Sequence, residues 1–271
     1  RGRLAVPPRW LRGHHRGARS PAALAGGRAA HRPAGAVAGE LPPAYAYLLD
    51  AAPWNVRRLA GDRLPPGYLA RLDRTPHAPA VFKLDYALSG PVPWRDPSCR
   101  RAGTVHVGGS YAEIAAGLRA AARGELPQQP FLITTQPSLF DDSRAPRGAH
   151  TFWAYTHVPL GWRGDLTEAI ERRLERFAPG FRDLVLARRA AGPAEIERRN
   201  RNDVGGDIGG GAFGWHRAFF RPLLQRVPYA TPDPSLFLCS SATPPGPGVH
   251  GMCGYHAAQV VLRRVFRPGR K

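Results

Sequence analysis

Two glycine-rich stretches and a small group of sulfur and imidazole side chains are the residues whose types and spacing can carry chemistry. Gly209–Gly214 reads GGGAFG and Gly246–Gly251 reads GPGVHG, so both satisfy G-x-G-x-x-G. That spacing holds a pyrophosphate when it joins a strand to a helix, because bare backbone lets the helix N-terminal N–H groups close on the anion. The first stretch follows NDVGGDI, a loop-forming run, and no strand precedes it. Asp233 stands downstream where a ribose ligand would, yet Pro222, Pro228, Pro232 and Pro234 leave little room for a helix and second strand. The stretch therefore reads as a loop closing over a ligand, in which Asp207 either shapes a pocket or stabilises a turn. The second stretch has better surroundings, with the strand-like LFLCSS ahead and the helix-forming HAAQVVLRRVF behind. It makes a strand, a glycine-rich turn and a helix N-terminus where backbone N–H groups converge. The chain ends at Lys271 before a second parallel strand or a ribose-binding acid, so this is a secondary contact to a cofactor held mainly elsewhere. His250 reads equally as a polar active-site group or a helix cap. Cys239, His250, Cys253 and His256 suggest zinc, but residues 250, 253 and 256 spread around a helix instead of meeting on one face, and no metal site is expected. No G-x-S-x-G elbow occurs, and no Ser-His-Asp arrangement is indicated.

The elements that position these loops are legible from periodicity. AYAYLLD, from Ala44, reads as a short buried strand, followed by helical stretches at Trp54–Ala60 and Pro66–Arg74. Ala80–Leu88 alternates, with Phe82, Leu84 and Tyr86 on one face and Lys83 and Asp85 on the other. Further strands are expected at Gly103–Val107, Phe131–Gln136, Thr151–Val158, Leu184–Arg188 and Leu236–Ser240. Helices are expected at Ser110–Arg123 and Asp165–Phe177, each opened by a capping box, Ser110 with Glu113 and Asp165 with Glu168. In the second, Leu166, Ile170, Leu174 and Phe177 form an apolar stripe, and the charges of ERRLER a solvated outer face. A last helix is expected from about Gly251 to Phe266. The aromatic run Phe152, Trp153 and Tyr155 reads as core, or as the lining of an apolar tunnel. Strands and helices interleave without regular strand-helix-strand spacing, which predicts an α/β chain of the α+β type, a mixed β-sheet layered with helices.

Composition bounds the function classes. The chain has 271 residues, 43% of them hydrophobic, enough for a sizeable core. A formal charge of +19 points toward nucleic acid, but lysine occurs only at Lys83 and Lys271, and eight of the charges are arginines within residues 1–39, a stretch without acids. Those residues show neither strand nor helix periodicity and are expected to be poorly ordered or non-native; a basic nucleic-acid-associated protein using this arm is the alternative reading. Three cysteines, Cys99, Cys239 and Cys253, in no disulfide-framework spacing suit a reducing compartment. No run of about eighteen apolar residues is present. A cytoplasmic location follows as the expectation, with peripheral membrane contact left open. With Arg1 first and Met252 the only methionine, the sequence reads as a fragment. The expected divisions are 1–39, a mixed-sheet substrate-binding region at 40–234, and a strand-loop-helix at 235–271.

The segment LFLCSSATPPGPGVHGMCGYHAAQVVL resembles the C-terminal flavin-contacting motif of phytoene desaturase-like oxidoreductases of the amine-oxidase superfamily. LLDAAPWNVRRLAGDRLP, FKLDYALSGPVPW, QPSLFDDSRAPRGAHTFWAYTHVP, LERFAPGF and the GGDIGGG loop resemble further segments of that family, so the likeness spans roughly residues 44–267. It implies FAD as cofactor, contacted by Gly248, Val249, His250, Gly251 and Met252, and hydride transfer to the flavin from a hydrophobic or amine-like small molecule, with no catalytic side chain identified. It also implies a partner segment, the N-terminal dinucleotide-binding half that this sequence lacks, so the chain alone is expected to be inactive. Pro247 stands where the family pattern usually has a glycine, which removes one N–H donor.

Overall fold

The structure is a computed structural model that describes residues 41, 43–214 and 217–266. In chain order the elements are β1 (Tyr47–Leu49), α1 (Pro53–Ala60), α2 (Pro66–Asp73), β2 (Ala80–Leu88), β3 (Val105–Val107), α3 (Tyr111–Ala122), β4 (Leu132–Thr135), β5 (His150–Val158), α4 (Thr167–Phe177), β6 (Val185–Ala191), α5 (Pro193–Arg199), α6 (Arg217–Phe220), β7 (Leu236–Leu238) and α7 (Met252–Arg264). This is a mixed α/β chain, as its interleaved periodicities predict. Its described residues form two units, one of residues 79–196, the other of 43–78 together with 197–266.

The first unit is built on a five-stranded sheet in the order β3-β4-β5-β2-β6, with every neighbouring pair antiparallel. Alternation in β2 sends Phe82, Leu84 and Tyr86 into a core with Phe152 and Ala154 of β5, Trp94, and Phe181. Each buried leucine or phenylalanine among them contributes about 1.5–3 kcal/mol by leaving water. Ile170 and Leu174 of α4 complete that core, and Leu166 and Phe177 pack at its margin, so the expected stripe faces inward. The capping box of α3 forms as expected: Ser110 Oγ accepts from the Glu113 N–H, and Glu113 Oε2 from the Ser110 N–H. The one expected for α4 does not. Asp165 Oδ1 accepts from the Thr167 N–H, while Glu168 turns outward to Arg172 and Arg182.

The ERRLER face of α4 also needs correcting. Glu171 and Arg173 are buried, at 4% and 6% exposure. Glu171 accepts from Arg188 Nη1 of β6 at 2.7 Å, and Arg173 Nη1 donates to Gln129 Oε1 at 2.8 Å. Both partners are distant in sequence, which is why periodicity alone assigned these charges to solvent.

The second unit holds a parallel pair, β1 with β7, in which Leu48 opposes Phe237. Its core gathers Val56 and Ala60 of α1, Tyr68, Leu69 and Leu72 of α2, Leu223, and Leu236 and Leu238 of β7. Residues 235–266 share a unit with 43–78, and β7 finds its hydrogen-bonding partner in β1. The expectation for residues 1–39 lies outside the described residues. No helix among the described residues is long and apolar enough to cross a membrane.

Candidate functional site

Both glycine-rich loops fall in the second unit, and they touch. β7 is buried throughout, and the chain leaves it through a turn tied at every step. The Cys239 N–H donates to Leu49 O, Ser240 Oγ donates to Ala51 O, and Thr243 Oγ1 donates to Ser240 O. The Gly246 N–H closes the turn on Thr243 O. Cys253, on the first turn of α7, points its thiol at the carbonyls of Thr243 and Gly246, both 3.4 Å away. Its sulfur is thereby directed into the loop. Burial pushes the Cys239 thiol up to about 12, with Asp50 and Cys253 acting the same way.

Beyond Gly246 the character changes. Residues 247–251 are exposed. Gly251 caps α7 in the left-handed region, φ 65°, and a Cβ there would meet no atom within 4 Å. His250 Nδ1 accepts the Met252 N–H at 3.0 Å, so the histidine acts as a cap within this structure. Of the residues expected to face a cofactor, Gly248, Val249, His250 and Gly251 lie on this open turn, while Met252 has its N–H already engaged. The next N–H groups, of Cys253 and Gly254, belong to the first turn and have no acceptor inside the helix.

The other loop is organised by Asp207, which is fully buried. Its carboxylate accepts from the N–H groups of Ala78 (2.8 Å), Gly209 (2.8 Å) and Gly211 (3.0 Å). Asp207 is thus a loop organiser, the turn-stabilising one of its two readings. Because α5 and a short 3₁₀ turn precede this loop and only the four-residue α6 follows, it lacks the strand and long helix of a dinucleotide fingerprint. At Gly210, with φ 67°, this loop meets the turn that leads from β7 to the second glycine-rich stretch: a Cβ there would lie 2.8 Å from Ser241 Oγ and 3.1 Å from the Ala242 nitrogen.

Three residues at this junction escaped sequence reasoning. Arg221, 2% exposed, donates from Nη2 to the carbonyls of Gly209 and Gly210, at 2.8 and 3.2 Å. Its Nε and Nη1 have no partner, and Nη1 lies 3.1 Å from where a Cβ on Gly246 would be. Burial lowers its pKa, opposed by the Asp207 charge. His77 stacks on Trp54 with ring centroids 3.6 Å apart, and its Nδ1 is 3.7 Å from Asp207 Oδ2. Burial lowers the His77 pKa, while Asp207 and Glu197 oppose the shift. Trp54 Nε1 donates to Thr75 O. Nothing in local spacing marks these residues, since each is defined by neighbours remote in sequence.

In the first unit the aromatic run divides. Phe152 is core, whereas Trp153 and Tyr155 share the opposite sheet face, stacked with centroids 5.9 Å apart, with Lys83 over the Trp153 ring.

This mixed α/β arrangement is that of part of a solved structure. The chain superimposes on an oxidoreductase from Methanosarcina mazei with a TM-score of 0.51 and 14% identity, covering 85% of this chain and 47% of that one. At that identity the likeness defines the fold. In sequence the chain is similar to two mammalian proteins called pyridine nucleotide-disulfide oxidoreductase domain-containing protein 2. It is 37% identical to the mouse protein and 35% to the rat protein, each over 155 residues and 52% of this chain. The aligned stretch spans about a quarter of those relatives, 26% of their length. No family model matches the chain.

Proposed function

We propose that this chain is part of a flavin-dependent oxidoreductase of the phytoene dehydrogenase-like kind, with FAD as cofactor. The observation that carries the reading is the segment from β7 through the glycine-rich turn to α7. A buried, fully tied base holds an exposed turn at the N-terminus of a thirteen-residue helix. The residues fit such a group, because space is open at Gly251 and the first-turn N–H groups of Cys253 and Gly254 have no acceptor within the helix. The names of the mammalian relatives and of the Methanosarcina mazei protein support the oxidoreductase class.

In this reading Gly248, Val249, His250, Gly251 and Met252 form the surface against the cofactor, which accepts hydride equivalents from a hydrophobic or amine-like substrate when bound. The helix N-terminus favours negative charge close to Gly251. His250, by accepting the Met252 N–H, fixes the turn. Asp207 and Arg221 hold the neighbouring loop in register with it. A dinucleotide-binding half is the partner this arrangement requires, and the first unit is the substrate-binding part. We place the protein in the cytoplasm, with its cysteines as thiols.

The test is to express the longest reading frame containing this chain, record its visible spectrum, and identify the released flavin by chromatography. Stoichiometric FAD in the wild type and loss of it in Gly251→Trp, with an unchanged circular dichroism spectrum, is the expected result. A folded, colourless wild type overturns the reading.

A further inference from the structure

A second site lies in the same unit at the other end of α7. Tyr68 and Arg71 of α2, Gln225, Arg226 and Thr231 of the following loops, and Arg264 in the last turn of α7 line a cleft of about 320 Å³. That volume is at the lower end for ligand pockets, which run from about 300 Å³ upward, so it suits a small molecule or the polar end of one. Its lining carries three guanidinium groups and no carboxylate. None of the three arginines is paired with an acid among the described residues, although Arg57 and Arg63 nearby in sequence are paired, with Asp73 and Asp233. Arg71 makes one weak bond, from Nη2 to Leu224 O at 3.3 Å, leaving most of its five donors available.

The second observation is Tyr68. The residue is 7% exposed and its hydroxyl oxygen is buried without a hydrogen-bond partner. Gln225 is the neighbouring polar side chain, close enough to act on the Tyr68 hydroxyl, but its Nε2 donates to the carbonyls of Val227, Pro228 and Ala230 and no bond of ordinary geometry reaches the hydroxyl. A buried hydroxyl left unpaired costs about 1–3 kcal/mol, and burial keeps this one protonated by pushing it up to about 12. It is therefore a buried hydroxyl without a hydrogen-bond acceptor, beside three exposed guanidinium groups with no carboxylate in the cleft lining.

We propose that this cleft binds the phosphate group of a small molecule, with the guanidinium groups of Arg71, Arg226 and Arg264 on its oxygens and the Tyr68 hydroxyl donating to one of them. Guanidinium forks match phosphate geometry, and three of them favour a dianion over a carboxylate. The site is separate from the turn at Gly251. Thirteen residues of α7 place its two ends about 20 Å apart at 1.5 Å per residue. The inference accordingly stands whether or not the chain binds flavin.

The test uses the full 271-residue chain without flavin, titrated with inorganic phosphate and with pyrophosphate at constant ionic strength, and followed by calorimetry and ³¹P NMR. Saturable binding is expected, weakened about tenfold by Arg226→Ala or Arg264→Ala and about fivefold by Tyr68→Phe. Tighter pyrophosphate identifies a diphosphate ligand, and equal affinities a monoester; either supports the site. Arg172→Ala, which removes the same charge from α4, should leave the affinity unchanged. Two outcomes overturn the proposal: Arg172→Ala weakening binding as much as Arg226→Ala, which is a general charge effect, or Arg71 and Arg264 substitutions changing only thermal stability, which reduces these arginines to partners of their helix C-termini.

Discussion

The two glycine-rich loops satisfy the same sequence pattern and do opposite things with their backbone. In the Gly205–Gly211 loop the polar groups turn inward: Asp207 gathers three N–H groups and Arg221 gathers carbonyls of the same glycines. In the 247–251 turn the residues are exposed, and the Met252 N–H that follows is capped by a side chain of the turn itself. One loop is therefore a brace and the other a presenting surface. A glycine pattern marks where backbone comes close to something; its partner, protein or ligand, is decided by the surrounding charges.

That contrast is broken most severely at Asp207. Asp207→Ala deprives three backbone donors of their acceptor and removes the negative charge that favours the buried Arg221 guanidinium. The expected loss is about 3 kcal/mol or more, since each buried donor left unsatisfied costs about 1–3 kcal/mol. Urea unfolding should show it as a lower midpoint. A loss below about 1 kcal/mol, the size of an ordinary exposed hydrogen bond, would mean Asp207 is not the brace.

Comparing equivalent glycines sharpens the contrast at smaller magnitude. Gly210 and Gly251 have nearly the same φ, 67° and 65°, so a side chain at either costs about 1 kcal/mol in the backbone. Only at Gly210 does a Cβ also collide, with Ser241 Oγ and the Ala242 backbone. Gly210→Ala should then cost about 1–3 kcal/mol more than Gly251→Ala, the usual range for overpacking. Equal midpoint shifts in the two variants would show that the loops do not touch at Gly210.

How much of this was legible in the sequence follows from the range of the interactions. The Ser110–Glu113 box and the β2 alternation are local, settled within a few residues, and they formed as read. The strand, turn and helix around Gly246–Gly251 were also legible, since apolar run, glycines and amphipathic run are consecutive. Helix α5 was missed although GPAEIERR offers proline and glutamate in its first turn, a local signal that was available. Glu171, Arg173 and Arg221 were out of reach. A buried charge looks like a surface charge until its partner, forty-four residues away for Arg173 and Gln129, is known. The β1–β7 pairing was out of reach for the same reason, because nothing near Leu236 announces that its ladder partner is Tyr47.

The smallest expected effects concern pH, and they set two groups beside the brace against each other. His77 is held below its ordinary value by burial. Its neutral form is the one the fold accepts, so its contribution is complete above the unfolded value of about 6.5 and lost as pH falls toward the lowered folded one. Asp203 is raised to about 6, first by burial and then by Asp207. Its contribution has the opposite sign, complete below the unfolded value near 4 and lost as pH rises through about 6. Between these limits the two trends offset one another. His77→Gln should therefore gain stability relative to the wild type as urea midpoints are followed from pH 7.5 down to 4.5. Asp203→Asn should show its gain at pH 7.5 and lose it by pH 4.5. Parallel profiles for the two variants would mean that the groups do not titrate against each other, and that burial around Asp207 is shallower than the geometry shows.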